Sequence, residues 1–273
     1  MSETRRKILT TGCNSGLGLA TVLELAHRGH ESIGTVRSAA KAEIVAEAAA
    51  RAGVEITTRI LDVTDADACA AVVSEVEPDV LVNNAGYMVY AAIEEVGDED
   101  ARNLFETMVL APTRLARLCL PHMRTRKWGR IIQVSSISAR VSFPLMGWYQ
   151  GCKQALEGIS DAMRIEVASA GIGVALVEPG IFRSEMSEQF SAPKNVEGSR
   201  YATAYERSGS FYGRLGAMMT DAETVAGVIA DAVTTRSLRA RYPVGLDAQF
   251  NILSDPITPT GLRDRALRTV FGL

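Results

Sequence analysis

Tyr149 and Lys153 lie four residues apart in a segment with the apolar periodicity of a helix. This spacing places both side chains on one helical face. An ammonium group beside a phenol favours the phenolate and lowers the pKa of the tyrosine. The pair therefore has the chemistry of a general acid and base that works near neutral pH.

Ser136 lies thirteen residues before Tyr149, directly after a predicted strand. Strand ends of this kind face the ligand crevice of a parallel α/β sheet, where a hydroxyl can stabilise developing charge on a substrate oxygen. Alternatively, Ser135 and Ser136 only turn the chain at the end of the strand. Combined with Tyr149, Lys153 and the glycine loop described next, the pattern favours a catalytic trio of Ser136, Tyr149 and Lys153.

A glycine-rich segment, Thr11-Gly-Cys-Asn-Ser-Gly-Leu-Gly18, joins the first predicted strand to the first predicted helix. Gly12 permits a tight turn, Gly16 lets the backbone approach a pyrophosphate, and Gly18 lets the helix pack closely. The N-terminus of the helix offers N–H groups and a positive dipole to phosphates. An ordinary turn between strand and helix is the alternative, but the context favours a dinucleotide site.

Strands and helices alternate along the chain and must position these residues. The predicted strands cover residues 8–11, 32–36, 55–61, 80–82, 130–134, 174–177 and 242–244, and the predicted helices cover 15–28, 40–52, 65–76, 98–126, 149–170 and 221–235. This order predicts an α/β fold: a Rossmann-type, doubly wound parallel sheet with helices on both faces. We expect a single domain across residues 1–273, since no linker or repeat divides the chain.

Two segments fall outside this alternation. Residues 184–220 are predicted to be irregular and to form a lid over the substrate, because they contain aromatic and methionine side chains; a surface loop without function is the alternative. The aromatic and methionine residues in question are Tyr201, Tyr205, Phe211, Tyr212, Met218 and Met219. The C-terminal extension, 246–273, is expected to cover the crevice or to pack against a second subunit.

These motifs, in this order, resemble the short-chain dehydrogenase/reductase superfamily in its single-domain branch. The resemblance rests on the spacing Gly-x3-Gly-x-Gly and on Ser136 with Tyr149-x3-Lys153, and it extends over about residues 5–245. It implies that Ser136 orients the substrate carbonyl, Tyr149 exchanges a proton, and Lys153 binds the nicotinamide ribose and tunes Tyr149. Ser135 and Ser138 are weaker candidates for the serine role.

Further segments resemble cofactor contacts of the same family. Asn83-Asn-Ala-Gly86 implies a contact with ribose, Asp62-Val63 a contact with adenine, and the segment from Pro179 to Ser184 a contact with the nicotinamide carboxamide. Ser184 stands where the family usually has threonine. The cofactor residues implied in this way are Gly12, Asn14, Ser15, Gly16, Leu17, Gly18, Arg37, Asp62, Val63, Asn83, Asn84, Ala85, Gly86, Tyr149, Lys153, Pro179, Gly180, Phe182 and Ser184.

Arg37 follows the second predicted strand, where an acidic residue would favour NAD(H) by binding the ribose 2′-hydroxyl. The planar guanidinium of Arg37 can instead pair with a 2′-phosphate, so the sequence favours NADP(H) over NAD(H). A solvated surface arginine is the alternative.

Met108 is a departure from the family pattern. The family usually has Phe-x-x-Asn-Val in this helix, whereas this chain has Phe105-Glu-Thr-Met-Val109, with Met108 at the asparagine position. In the family, the backbone of that asparagine holds a water that connects the lysine to solvent. A thioether is a weak acceptor and does not replace an amide side chain. The helix backbone can still bind the water, or proton supply can be slower. We expect the first outcome, because the side chain is not the chemical base.

Composition excludes several other classes of function. The net charge is −3 and no basic block occurs, so nucleic acids and anionic membranes are unexpected partners. The four scattered cysteines and three histidines lack the spacing of a metal site. We expect a reduced, cytoplasmic protein without a signal peptide or membrane span.

The predicted function is therefore NADP(H)-dependent interconversion of a ketone or aldehyde and an alcohol. The substrate is expected to be a lipophilic small molecule of steroid, retinoid, polyketide or acyl type, partly because Arg241-Tyr-Pro-Val-Gly245 resembles the subgroup with 17β-hydroxysteroid and retinol dehydrogenases. The predicted substrate residues are Tyr87, Met88, Val141, Phe143 and Met146. We also expect a homodimer or homotetramer. The alternatives are a non-catalytic NADP(H) sensor and a sugar-nucleotide epimerase or dehydratase, the latter disfavoured by the short C-terminal segment.

Overall fold

Seven parallel strands form one sheet in the order β3-β2-β1-β4-β5-β6-β7 in the computed structural model of the protein, which describes residues 5–182, 198–215, 219–254 and 257–273. The strands are β1 (Lys7–Thr10), β2 (Glu31–Val36), β3 (Thr57–Ile60), β4 (Val80–Asn83), β5 (Gly129–Val134), β6 (Ile172–Pro179) and β7 (Arg241–Val244). The order reverses between β1 and β4, which is where α/β sheets open a ligand crevice at the carboxyl ends of their strands. The predicted doubly wound sheet is confirmed.

Helices cover both faces of the sheet. They are α1 (Gly16–His27), α2 (Ala39–Ala52), α3 (Ala66–Val76), α4 (Asp98–Phe105), α5 (Ala111–Arg126), α6 (Gly147–Val167), α7 (Ala202–Leu215), α8 (Ala222–Thr234), α9 (Leu246–Ser254) and α10 (Thr260–Phe271). Neighbouring strand residues point to opposite faces. Thus Leu9 and Leu81 pack in the core cluster with α3 and α5, whereas Ile8 and Val80 pack in the one with α1 and α8.

The helical stretch predicted as one helix over 98–126 is interrupted. A π-helical turn, Glu106–Leu110, separates α4 from α5, and the N–H of Ala111 donates to the carbonyl of Glu106 five residues earlier. Pro112 explains part of this break, because it has no N–H to donate to the carbonyl of Met108 in the α-helical pattern. Met108 therefore lies in a widened turn, a feature that is often found at functional sites.

The segment predicted to be irregular, 184–220, contains the helix α7 in its described part, and this prediction was wrong. Tyr201, Tyr205, Ser208 and Tyr212 recur at helical spacing, and the last three are buried. The rest of the lid prediction, residues 184–197 and 216–218, including Met218, lies outside the described residues.

The C-terminal extension forms α9 and α10, and α10 packs on α7. The rings of Phe211 and Phe271 lie 5.7 Å apart between centroids, and Phe271 is fully buried. Arg207 Nη1 also donates to the carbonyl of Thr269 at 3.1 Å. These contacts hold α10 against α7 of the same chain, and the two roles expected for the extension stay predictions. Among the described helices, none has the length and apolar character needed to cross a membrane.

Candidate active site

The glycine loop follows β1 and leads into α1 at the carboxyl end of the sheet. Gly12 has φ +72° and Gly16 has φ +52°, in the left-handed region that side chains disfavour. At Gly18 the reason for glycine is the lack of space, since a Cβ there would lie 2.1 Å from the carbonyl oxygen of Gly12. The bare backbone that phosphates require is therefore built into the first turn of α1.

Asn84 holds this loop in place. Its Nδ2 donates to the carbonyl oxygens of Thr11 at 2.9 Å and Gly12 at 3.1 Å. In return, Thr11 Oγ1 accepts from the backbone N–H groups of Asn84 and Ala85, each at 3.0 Å. The sequence predicted that Asn84 contacts the cofactor; in the structure its side chain binds the carbonyl groups of the glycine loop. The role of Thr11 was missed, because a hydroxyl at the end of a strand is a weak sequence signal.

The neighbouring Asn83 and Gly86 lie closer to the interrupted helix. Asn83 Nδ2 donates to the carbonyl oxygen of Pro112 at 3.0 Å, so this side chain points into the core rather than the crevice. A Cβ on Gly86 would lie 3.5 Å from Cε of Met108. The Met108 thioether therefore packs directly behind the Asn-Asn-Ala-Gly segment.

The structure brings Ser136, Tyr149 and Lys153 together. Ser136 follows β5, and Tyr149 and Lys153 lie on consecutive turns of α6; all three are buried. The Ser136 hydroxyl lies close enough to the Tyr149 phenol to lower the pKa of that phenol. Lys153 Nζ lies 5.8 Å from the centroid of the Tyr149 ring and donates to the carbonyl oxygen of Val134 at 2.7 Å. A proton donor, a second hydroxyl and an ammonium thus lie at one strand end.

The pKa values differ from the sequence expectation. Burial raises the pKa of Tyr149 to about 12, although the neighbouring Ser136 hydroxyl acts in the opposite direction. Burial also lowers the pKa of Lys153 to about 8. The expected lowering of the Tyr149 pKa by Lys153 is therefore not found in the polypeptide itself, because desolvation of the phenolate outweighs the neighbouring charge.

The two weaker serine candidates make other contacts. Ser135 Oγ donates to Glu157 Oε1 at 2.7 Å, so its hydroxyl is engaged behind the strand end. Ser138 lies in the short 3₁₀ turn Ile137–Ala139, and its backbone N–H donates to Ser136 Oγ at 3.1 Å. Ser136 is the one of these three whose hydroxyl acts on the pKa of Tyr149.

The ends of β2 and β3 form the far side of the crevice. Arg37 is exposed directly after β2. Asp62 follows β3, where hydrogen bonds from the Thr64 backbone and hydroxyl lower its pKa, with a smaller contribution from the charge of Arg37. The adjacent Val63 is buried and contributes its carbonyl oxygen to Arg114. Arg37 and Asp62 therefore lie near each other at the ends of two neighbouring strands.

The predicted carboxamide segment lies after β6. The N–H of Gly180 donates to the carbonyl of Val244 at 2.8 Å, and the N–H of Ile181 donates to Asp247 Oδ2 at 2.7 Å. A Cβ on Gly180 would lie 2.1 Å from Asp247 Oδ1. Asp247, which sequence reasoning missed, therefore fixes this segment. Phe182 is half-buried and bridges to Thr220, and Ser184 lies outside the described residues.

The predicted substrate residues divide into two groups. Met88 and Met146 pack in one apolar cluster with Tyr149, whereas Val141 packs in another cluster with Ile137 and Ala248. Phe143 contacts both clusters, and Tyr87 is 37% exposed. The cluster around Tyr149 also contains Tyr205 and Tyr212 of the predicted lid segment, together with Tyr90, which sequence reasoning missed.

Helix α7 is fastened beside this wall. Tyr201 donates its hydroxyl proton to Glu94 and Tyr205 donates to Glu95, each at 2.7 Å. The Tyr205 oxygen also accepts from the N–H of Ala92 at 2.9 Å. These bonds hold the described part of the expected lid against the segment that follows Met88. Among the described residues, no group of histidine, cysteine and acidic side chains could hold a metal ion.

Comparison with known proteins decides the family. The sequence profile described as short chain dehydrogenase matches residues 6–195. The chain belongs to the short-chain dehydrogenase/reductase family. Uncharacterized oxidoreductase YusZ of Bacillus subtilis (strain 168) is 35% identical over 263 residues, which are 92% of this chain and 93% of YusZ. This short-chain dehydrogenase/reductase is therefore an oxidoreductase by family.

Two further relatives carry more specific names. Human retinol dehydrogenase 8 is 33% identical over 66% of this chain and 60% of its own. The 17-beta-hydroxysteroid dehydrogenase type 6 of Rattus norvegicus is 28% identical over 94% of this chain and 86% of its own. The resemblance to this subgroup is confirmed at the level of sequence similarity.

Solved structures agree with the fold. A short-chain dehydrogenase from Streptomyces avermitilis superposes with a TM-score of 0.81 at 31% identity, covering 98% of this chain and 96% of the other. A metagenomic short-chain oxidoreductase in complex with NADP superposes with a TM-score of 0.70 at 25% identity, covering 89% of this chain and 98% of the other.

Proposed function

We propose that this protein is an NADP(H)-dependent oxidoreductase that interconverts a lipophilic ketone or aldehyde and the corresponding alcohol. The observation that carries the proposal is the Ser136 hydroxyl beside the Tyr149 phenol, with Lys153 one turn further along α6. Such a site can hold a carbonyl oxygen between two hydroxyls. Family membership supports the reaction type.

In carbonyl reduction, the Tyr149 hydroxyl gives its proton to the substrate oxygen, while Ser136 donates a hydrogen bond to the same atom. In alcohol oxidation, the same tyrosine oxygen receives the proton. Lys153 places a cationic group beside the phenol, and its pKa of about 8 leaves it largely protonated near neutral pH. The nicotinamide, when bound, supplies or accepts the hydride.

The residues present fit a dinucleotide. Gly12 in the loop and Gly16 at the start of α1, both with positive φ, carry no side chain where a pyrophosphate would approach. Asn14, Ser15, Leu17 and Gly18 complete this loop, the segment from Asn83 to Gly86 would lie beside the ribose, and Pro179, Gly180 and Phe182 would lie beside the carboxamide.

Arg37 supports NADP(H) as the cofactor. It is exposed at the end of β2, where the chain has no acidic residue to bind the ribose 2′-hydroxyl. Its guanidinium can donate two parallel hydrogen bonds to a 2′-phosphate. The metagenomic relative whose structure contains NADP supports the same assignment.

The wall beside Tyr149 supports a lipophilic substrate. Met88, Met146 and Tyr212 contribute adaptable or aromatic surface, and Tyr212 Oη lies 3.5 Å from Met146 Sδ. The test is a panel of steroid, retinoid and acyl-chain ketones and alcohols, assayed by NADPH absorbance. Turnover of a bulky apolar ketone is expected; turnover confined to small, charged carbonyl compounds would contradict this substrate class.

A further inference from the structure

A group of charged side chains lies behind Ser136 and connects α6, β6 and β7; we call it the ion-pair cluster. It consists of Arg140, Glu157, Asp161, Glu178 and Arg241. Arg241 Nη1 lies 2.6 Å from Glu157 Oε2 and 2.7 Å from Glu178 Oε1, and its Nη2 lies 2.5 Å from Asp161 Oδ2. The side chains of Glu157 and Glu178 are only 7% and 1% exposed.

Stability alone does not account for these buried charges. Removing two carboxylates from water is costly, and a buried ion pair seldom stabilises a protein more than apolar side chains of the same volume. What such a cluster does supply is a fixed geometry, because each carboxylate oxygen has a specific partner. The residues to which the cluster attaches therefore indicate its role.

The cluster holds both ends of the turn that contains Ser136. Before Ser136, the hydroxyl of Ser135 donates to Glu157 Oε1 at 2.7 Å. After it, Arg140 ends the 3₁₀ turn that Ser136 begins, and Arg140 Nε lies 3.3 Å from both Glu157 Oε2 and Glu178 Oε1. Glu157 thus contacts the residues on either side of the turn.

Glu157 also continues the catalytic face of α6. Tyr149, Lys153 and Glu157 lie on three successive turns of this helix, at a spacing of four residues. Their contacts are respectively the Ser136 hydroxyl, the Val134 carbonyl and the Ser135 hydroxyl. Three consecutive residues at the end of β5 are therefore each held by one turn of the helix.

We propose that Glu157, held in place by Arg140 and Arg241, is a positioning residue for the carbonyl–alcohol reaction. It fixes the Ser136 turn relative to the helix that carries Tyr149 and Lys153, and it does not touch the substrate itself. This inference rests on the proposed function. Displacement of a hydroxyl by a fraction of an ångström weakens its hydrogen bond to the reacting oxygen, so the effect falls on the chemical step.

The test compares three variants of the full-length protein. Glu157→Gln removes the charge, and Ser135→Ala removes only the hydroxyl that binds Glu157. Asp161→Asn is the matched control: it weakens another carboxylate contact of Arg241, one turn further along α6, without touching the Ser136 turn. We expect kcat to fall about tenfold or more in the first two variants, with the KM for NADPH within about twofold of wild type. The control is expected to retain kcat within about twofold.

Hydrogen exchange of the backbone amides in residues 136–141 gives a second measurement, which needs no substrate. Exchange is expected to accelerate in Glu157→Gln and Ser135→Ala but not in Asp161→Asn. Thermal melting curves are used to establish that all three variants are folded. If Glu157→Gln fails to fold, Ser135→Ala decides the question. Wild-type kcat in Ser135→Ala, or an equal loss in Asp161→Asn, would overturn the proposal.

If the wild-type protein turns over no ketone, aldehyde or alcohol, the proposed function fails and the exchange measurement alone decides the structural part. Unchanged protection of residues 136–141 in Ser135→Ala would then reject the role of Glu157 in fixing the turn. Faster exchange confined to this turn would support it.

Discussion

Lys153 donates a hydrogen bond of 2.7 Å from Nζ to the carbonyl oxygen of Val134, two residues before Ser136. The helix that carries the proposed acid–base residue is thus tied to the strand that carries the second hydroxyl. The same ammonium lies 5.8 Å from the centroid of the Tyr149 ring, so one side chain both ties the helix to the strand and places a charge near the phenol.

Tyr149→Phe is expected to reduce kcat by about 10³-fold, because general acid–base catalysis contributes that order of magnitude and phenylalanine has no proton to exchange. The ring remains in its apolar cluster, so the Kd for NADPH, measured by fluorescence titration, is expected to stay within about twofold of wild type. A non-catalytic NADP(H) sensor would instead show no turnover in either protein. Undiminished turnover in the variant would exclude Tyr149 as the acid.

Lys153 is expected to make stability depend on pH. Its pKa falls from 10.5 in the unfolded chain to about 8 in the folded protein, so the folded state loses its proton first as the pH rises. Below pH 8 Lys153 is protonated in both the folded and the unfolded state, so burial of its charge lowers the free energy of unfolding. Between about pH 8 and 10 Lys153 is neutral in the folded state, and this destabilisation disappears. Relative to Lys153→Met, wild type should gain about 2 kcal/mol in free energy of unfolding between pH 7 and 10.

Urea unfolding of both proteins at the two pH values measures this difference, and the other titrating groups, which both proteins share, largely cancel. A constant difference between wild type and Lys153→Met would show that burial does not lower the pKa of Lys153.

Arg37→Glu is expected to reverse the cofactor preference. The variant loses a charge-assisted bond to the 2′-phosphate and gains an acceptor for the 2′-hydroxyl, so the kcat/KM ratio of NADPH to NADH should fall by about tenfold to a hundredfold. Arg51→Glu is the matched control, since Arg51 is an exposed arginine near the end of α2 that pairs with Glu47 on the surface, at 3.8 Å. Equal changes in both variants would indicate a general charge effect.

Met108→Asn is expected to keep or raise turnover. Pro112 has no N–H to donate to the carbonyl oxygen of residue 108. The substitution changes only the side chain, so we expect this carbonyl to bind water in both proteins. Met108 is buried, and Asn introduces a polar group there, so a lower melting temperature is expected as well. Met108→Leu provides the apolar control. Complete loss of kcat in a folded Met108→Asn protein would contradict this view.

Gly18→Ala is expected to abolish NADPH binding. The new Cβ would lie 2.1 Å from the Gly12 carbonyl and 2.5 Å from Asn84 Nδ2, which forces the loop apart. Gly158→Ala is the control, because Gly158 is an exposed helical residue with nothing within 4 Å of its added Cβ. Calorimetric titration with NADPH should detect binding to the Gly158 variant and none to the Gly18 variant.

The sequence predicted the elements well where patterns are local. Ser38 and Asp65 begin α2 and α3 by accepting backbone N–H bonds, and both helices were expected at these positions. The break at Glu106–Leu110 was missed because Pro112 was treated as part of one helix over 98–126. Helix α7 was missed because its buried face consists of tyrosines and serines, which lack a strong apolar period.

Residue types and spacing by themselves determined the parallel sheet, the glycine loop and the juxtaposition of Tyr149 and Lys153 on one helical face, since helix geometry and strand alternation follow from local sequence. Only the tertiary structure decided that Ser136 rather than Ser135 meets Tyr149, because Glu157, twenty-two residues further along the chain, occupies the Ser135 hydroxyl. It also decided the pKa of Tyr149, which depends on how completely distant side chains exclude water from the phenol. Contacts between residues far apart in sequence set both outcomes, and no local pattern records them.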